Sequence, residues 1–259
     1  MQFCSLGSGS SGNALVVEAR SGATTTRLLI DCGFSCKELN LRLAKAGLAA
    51  DDLDAIFVTH EHGDHVGCAL ALSRQSHLPL WMSYGTWCAL GRPELAEPLL
   101  HFARDGENIH VGDLELSPYT VPHDAQEPLQ LRCSDGAHRL GVLTDLGSST
   151  MHLLAELQRC DALVLECNHE RELLWQSRYP DSLKARIGGL YGHLANDTAA
   201  QILGHCHHTG LRHVVAAHLS EQNNTPALAA SALAAACGAA PGDIVVADPL
   251  LGVGWLSLS

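Results

Sequence analysis

At 259 residues the chain can bury a substantial core, and 46% hydrophobic against 17% charged content excludes a disordered protein. A formal net charge of −12 argues against broad electrostatic binding to nucleic acid, but not against a local site whose positive charge comes from bound cations. No apolar run approaches the roughly twenty residues that span a bilayer, and Met1-Gln2-Phe3-Cys4-Ser5-Leu6 has no signal-peptide pattern. The ten cysteines contain no Cys-x-x-Cys pair, so a cytoplasmic protein with reduced thiols and no membrane partner is expected.

The chain opens on a Gly/Ser loop, Gly7-Ser8-Gly9-Ser10-Ser11-Gly12-Asn13, which by itself reads as a tight turn. Ser21-Gly22-Ala23 then predicts a hairpin leading into a buried strand, Arg27-Leu28-Leu29-Ile30, that ends on Asp31. Ser35-Cys36-Lys37-Glu38 reads as a capping box; Leu39, Leu43 and Ala46 follow at helical spacing and Gly47 supplies a stop. The apolar, β-branched run Ala55-Ile56-Phe57-Val58 feeds directly into Thr59-His60-Glu61-His62-Gly63-Asp64-His65, and a short helix is predicted from Val66 to Gln75. Alternation from Leu114 to Val121 predicts a half-exposed strand.

The pattern then repeats. Ser134-Asp135-Gly136-Ala137 precedes a strand from Arg139 that ends on Asp145, and Asp161-Ala162-Leu163-Val164-Leu165 answers Asp54-Ala55-Ile56-Phe57-Val58. Glu166-Cys167-Asn168-His169-Glu170 stands where the histidine stretch stood. Helices are predicted at Thr198–His208 and Pro226–Cys237, with a last strand pattern at Ile244–Ala247. The expectation is one α/β domain over residues 1–259, with pseudo-repeated halves of about 1–125 and 126–259. It should fold as an αββα sandwich: two mixed β-sheets face to face, helices on the outer faces.

Asp31, His60, Asp145, Glu166 and His218 each stand at the carboxyl end of a predicted buried strand. Sites in α/β sheets gather at such ends, so these scattered residues are expected to converge on one cleft. Divalent metals of the zinc–manganese–iron group take imidazole and carboxylate ligands, and His60, His62, Asp64 and His65 offer four from one turn of chain. His205-Cys206-His207-His208 is also metal-like in composition, but imidazoles at a predicted helix end suit its carbonyl-rich terminus.

The signature His60-x-His62-x-Asp64-His65, followed in order by His123, Asp145 and His218, resembles the metallo-β-lactamase superfamily over essentially the whole chain. The resemblance implies one divalent metal held by His60, His62 and His123. It implies a second held by Asp64, His65 and His218, with Asp145 bridging the two and a metal-bridging hydroxide as nucleophile. Asp31 would orient a histidine ligand through its other ring nitrogen, and Asp64 would orient the hydroxide while ligating. Zinc, manganese or iron would each suit such a site.

The Gly/Ser loop, Glu166-x-Asn168-His169, Gly192-His193-Leu194-Ala195-Asn196 and His218-Leu219-Ser220-Glu221-x-Asn223-Asn224 together resemble the YycJ/WalJ-like branch, bacterial proteins associated with 5′→3′ DNA exonuclease activity. Related phosphodiesterases carry a histidine between the bridging Asp and the last ligand, which here is His193, a candidate general acid. Glu170 stands where that branch would have Asp. Ser10, Asn13, Glu166, Asn168, His169, Asn196 and Asn223 are candidates for supporting the site or touching substrate. The chain lacks the glyoxalase II C-terminal pattern, has no room between Asp145 and His218 for a β-CASP insertion, and has His62 where flavodiiron oxidoreductases place Glu.

The leading expectation is therefore a two-metal phosphodiesterase acting on DNA ends, a 5′→3′ exonuclease. The alternatives are a hydrolase of a small phosphodiester or nucleotide, and a regulatory metal-binding protein with little turnover. Retention of every expected ligand together with His193 argues for turnover.

Overall fold

The computed structural model describes residues 1–259, and its elements follow the repeat. The first half runs β1 (Gln2–Gly7), β2 (Ala14–Ser21), β3 (Thr24–Ile30), α1 (Cys36–Lys45), β4 (Ala55–Phe57), α2 (Gly63–Val66), α3 (Ala69–Ser76), β5 (Leu80–Ser83), α4 (Tyr84–Ala89) and β6 (Leu100–Ala103). The second runs β7 (Ile109–Val111), β8 (Leu114–Thr120), β9 (Leu129–Ser134), β10 (Arg139–Leu143), α5 (Met151–Glu156), β11 (Ala162–Glu166), α6 (Arg171–Gln176), α7 (Asp181–Ile187), α8 (Asn196–Cys206), β12 (His213–Ala217), α9 (Pro226–Cys237) and β13 (Val245–Val246). A last strand, β14 (Val253–Ser257), returns to the first sheet.

The strands form two seven-stranded mixed sheets, ordered β14-β1-β2-β3-β4-β5-β6 and β13-β12-β11-β10-β9-β8-β7. In the first, the β2–β3 hairpin turns at Gly22 (φ +58°), and β4 then lies parallel to β3. In the second, the β9–β10 hairpin turns at Gly136 (φ +86°), and β11 lies parallel to β10. Glycine meets the left-handed backbone of both turns without a Cβ clash. The change of sheet falls between Ala103 and Ile109, ahead of the boundary near 125 read from the repeat, because β7 and β8 already pair within the second sheet.

Period-two side-chain alternation sorts the apolar residues into layers. Leu28, Ile30 and Phe57 meet Leu116, Leu131, Val142 and Val164 in a core between the sheets. Leu29 and Ile56 point the other way, onto Leu39 and Leu43 of α1 and Leu72 of α3. Leu163 and Leu165 likewise face α8 and α9 through Ile202, Leu203 and Leu233. The result is helix, sheet, sheet, helix. No helix is long and apolar enough to cross a membrane.

Four local expectations are corrected. Only half of the capping box forms: Ser35 accepts from the Glu38 amide, while the Glu38 carboxylate turns to Arg42 Nε at 2.7 Å. The helix expected from Val66 to Gln75 is two, α2 and α3, broken at Gly67 (φ +31°). Gly67 packs so closely on the turn after β3 that a Cβ there would lie 2.2 Å from the Cys32 carbonyl oxygen. The helix predicted at Thr198–His208 is shifted to Asn196–Cys206, and His205 Nδ1 caps the Gln201 carbonyl at 2.8 Å. Finally, β8 is mostly buried rather than half-exposed, because Tyr119 turns its outer face into the second helix layer and donates to the Val142 carbonyl at 2.7 Å.

Candidate metal centre

The residues that end the strands meet in one place. Asp31 directly follows β3, His60 lies three residues past β4, Asp145 two past β10, Glu166 closes β11 and His218 directly follows β12. All five side chains are buried. Asp31 and His218 adopt positive φ, 61° and 53°, a region costly for residues with a Cβ and tolerated best by Asp, Asn and His. Such strain at two strand ends marks a site whose surroundings hold it in place.

Four histidines are clamped at one nitrogen by a neighbouring acceptor. Asp31 Oδ2 accepts from His65 Nδ1 at 2.7 Å, and both Asp31 oxygens take the Thr59 hydroxyl. With its proton so engaged, Thr59 Oγ1 accepts from His60 Nδ1 at 3.0 Å. His123 Nδ1 donates to the Gly192 carbonyl at 3.0 Å, and His218 Nδ1 faces Glu166 Oε1 at 3.3 Å. A protonated Nδ1 leaves Nε2 as the lone-pair atom. The acceptor thus fixes the tautomer and turns each Nε2 toward the centre.

The central atoms form overlapping sets, linked through a group of His60, His65 and Asp145. His60, His62 and His123 bring ligand atoms within 4.8 Å of one another, as do Asp64, His65 and His218. Asp145 reaches both, 3.0 Å from His65 Nε2 and 3.9 Å from His123 Nε2. His60 Nε2 and Asp145 Oδ2 are buried with no hydrogen-bond partner. Buried polar atoms are almost always satisfied, and two adjacent exceptions that belong to good metal ligands fit a divalent cation. His65 Nε2 and Asp145 Oδ2 lie close without the alignment of a hydrogen bond, as ligands of a common ion would.

The electrostatics are those of a tightly coupled buried cluster. Burial pushes the Asp145 carboxyl up, but His218 and His65 outweigh it and hold Asp145 well below the usual carboxylate range. Burial pulls His218 and His65 down; Asp145 outweighs it, raising His218 to about 10 and His65 well above its ordinary value, so at these two a bound cation would displace a proton from Nε2. His60 and His123 are lowered, burial being the main cause, which keeps them neutral and ready to ligate.

His193 sits at the rim, its side chain 23% exposed. Its Nδ1 donates to Glu166 Oε1 at 2.7 Å, and its Nε2 is free of protein partners. Burial lowers the His193 imidazole, but Glu166 outweighs it and the net shift is upward. Glu166 in turn accepts on Oε2 from the amides of Leu146 and Leu194, so this carboxylate serves as a hub. Asp145, Glu166, His193 and His218 also group within ligand distance, but Glu166 Oε1 faces the Nδ1 atoms of both histidines and is committed to hydrogen bonds.

The other candidates divide. Asn13 approaches the centre, its Nδ2 3.1 Å from His65 Nε2 and 3.4 Å from Asp64 Oδ2. Asn168 donates to the His218 carbonyl, and Asn196 exchanges hydrogen bonds with Asn224, so both brace the loops from within. Asn223 donates to Ser220 Oγ at 3.3 Å, leaving its buried Oδ1 unpaired. His169 is buried with Nδ1 unpaired, and burial pulls its imidazole down to about 4. Ser10 is exposed and forms no side-chain hydrogen bond; Ser8 instead takes the His218 amide at 2.8 Å. Sequence reasoning missed Ser8, Thr59, Asn224 and Asp124, whose Oδ1 lies 3.6 Å from His123 Nε2. Thr59 lies in the histidine stretch, Ser8 in the Gly/Ser loop and Asn224 in the His218 motif, while Asp124 stands in none of these motifs.

Residues 26–219 match the beta-lactamase superfamily domain. The chain is 33% identical over 233 residues to exodeoxyribonuclease YycJ of Bacillus anthracis, covering 88% of this chain and 86% of that one. It is 31% identical over 234 residues to exodeoxyribonuclease WalJ of Streptococcus pneumoniae, covering 88% and 85%. The crystal structure of the metallo-beta-lactamase fold protein YhfI from Bacillus subtilis superposes with a TM-score of 0.76 at 16% identity, over 98% of each chain. With its sheets, helices and histidine–carboxylate clusters of that type, the chain belongs to the metallo-β-lactamase superfamily, in the YycJ/WalJ-like branch, and is a metal-dependent hydrolase.

Proposed function

We propose that the protein is a two-metal phosphodiesterase that degrades DNA from the 5′ end. The observation that carries the two-metal reading is the pair of ligand sets on either side of Asp145. A shared carboxylate offsets the repulsion of two cations about 3.5–4 Å apart. His60, His62 and His123 would hold one ion and Asp64, His65 and His218 the other. When bound, such ions supply Lewis acidity and a water ionised near neutral pH. The relatives named exodeoxyribonucleases support DNA as the substrate.

The chain's own groups divide the remaining work. Asp64, 24% exposed on its side chain, turns a carboxylate to the mouth of the site and orients the attacking water. His193 presents Nε2 to the leaving oxygen while Glu166 supports the imidazolium from Nδ1, so it can deliver a proton as the phosphorus–oxygen bond breaks. Asp31 and Thr59 act only through the histidines they hold.

Linear and circular single strands of one sequence, offered to protein reloaded with manganese or zinc, test this reading. The linear strand should vanish into mononucleotides or very short products, with a 5′ label released first, while the circle survives. Cleavage of the circle, or rapid hydrolysis of bis-p-nitrophenyl phosphate with no action on any DNA, would move the assignment to a small-diester hydrolase.

A further inference from the structure

The segment spanning α6 and α7 has properties rare on the rest of this acidic surface. Arg171, Arg178, Lys184 and Arg186 stand there in a chain of net charge −12; Arg171 Nε pairs with Asp197 at 2.8 Å, Arg186 with Asp124 at 2.6 Å, and Lys184 lies 3.8 Å from Asp181. Trp175 is 76% exposed, and Tyr191, just beyond α7, is 63% exposed. Large rings facing solvent beside cations are the elements of a single-stranded nucleic-acid surface.

Between the two helices opens a cavity of about 350 Å³, lined by His169, Arg171, Leu174, Trp175, Lys184 and Gly188 among others. That is within the range that holds a small ligand. His169 is 1% exposed, and its Nδ1 has no hydrogen-bond partner. Its backbone is fixed, the carbonyl accepting from Asn196 at 2.9 Å, so the ring is presented by a rigid wall. Lys184 Nζ donates to the Trp175 carbonyl at 2.8 Å and lies over one face of the Trp175 ring, 5.8 Å from its centroid, which leaves the other face for a base. The cavity also borders the metal centre: Ile187, adjoining its Gly188, accepts from the His193 amide at 2.8 Å. Arg186 pins α7 to Asp124, next to His123, at 2.6 Å.

We propose that this cavity is a subsite for one nucleotide of a single-stranded DNA end, with the base stacked on Trp175 and the phosphate held by Lys184, Arg171 and His169. The subsite rests on the phosphodiesterase reading above and adds to it the group that grips the strand beside the reacting phosphate. Base stacking accepts any sequence, since every base has a π-face. Asp181, at the cavity edge, opposes further negative charge, which suits one nucleotide better than a long tract.

The test compares Trp175→Ala, Trp175→Phe and a Lys184→Gln/Arg171→Gln double variant of the metal-loaded full chain. KM is read on a single-stranded oligonucleotide and on the same strand with abasic residues at its 5′ end, which has no base to stack. Trp175→Ala should raise the ratio of the two KM values about tenfold, the scale of a lost stacked base. Trp175→Phe should restore most of it, and the double variant should flatten the salt dependence by about one phosphate. Oligonucleotide binding should also quench tryptophan fluorescence in the wild type and much less in Trp175→Phe. An unchanged KM ratio in Trp175→Ala, in a protein that degrades DNA, overturns the subsite and leaves the function standing. A wild type that hydrolyses bis-p-nitrophenyl phosphate but neither binds nor degrades DNA overturns both.

Discussion

Asp31 lies behind the metal centre, yet three of the groups that shape it hang on its carboxylate: the Thr59 amide, the Thr59 hydroxyl and His65 Nδ1. Removing such a support costs about 10–100-fold in metal affinity. Asp31→Ala should weaken binding by that factor while the fold persists, as isothermal titration with zinc would show; unchanged affinity would remove Asp31 from the site. Elemental analysis after reconstitution should find one of the two ions missing in His62→Ala and both disturbed in Asp145→Ala, since His62 serves one ligand set and Asp145 touches both. His193→Ala should retain metal and lose about 10²–10⁴ in rate on DNA. Its loss should be smaller on bis-p-nitrophenyl phosphate, whose leaving group needs little protonation; equal losses would argue against an acid. The convergence of these side chains was legible in the sequence because the strand pattern sets each of them at or just past a carboxyl end. Ser8 was not legible, because its partner His218 is 210 residues away and the Gly/Ser loop offers three equivalent serines.

Elements decide how firmly the histidine loop is held. Gly67 separates α2 from α3 and lets the loop press on the Cys32 carbonyl. Gly67→Ala meets both a clash and a positive φ, so it should cost more than about 2 kcal/mol and lower metal content with it. Thermal unfolding with and without zinc reads both effects. On the opposite end of the first sheet, Glu18 ties three strands together, taking Gln2 of β1, Arg20 of β2 and Arg27 of β3. Burial pushes this carboxyl up, but Arg27, Arg20 and Gln2 outweigh it and hold it below the ordinary range. A lowered folded value contributes stability above the unfolded pKa of about 4.3, and that contribution is lost as pH falls through the folded value. Glu18→Gln should therefore cost about 2 kcal/mol at pH 7 and progressively less below about pH 4. A constant difference across that range would contradict the ionised rung. The Ala-rich run from Pro226 to Cys237 located α9 to the residue, but β8 is more buried than its pattern predicts, because alternation in one strand does not reveal what covers its outer face.

Across the whole molecule, the repeated hairpin, helix and parallel strand made the sandwich legible, since each half places a carboxylate or histidine at the same strand ends. The proposed grip on substrate was not legible. A net charge of −12 conceals the cations of α6 and α7, which become a patch only when the helices fold beside His193. Such a protein should hold few phosphates. The logarithm of its affinity for single-stranded DNA should fall with the logarithm of salt concentration at a slope of about −2, or some −0.7 per phosphate. A slope several times steeper would require a basic face the surface does not have. The claim on which the rest depends is the pair of ions astride Asp145, and an anomalous-diffraction map of metal-reconstituted crystals measures it directly. The account predicts two peaks of similar height, one among His60, His62 and His123 and one among Asp64, His65 and His218, with Asp145 in contact with both. A single peak in fully loaded protein, or peaks away from His60, would contradict it.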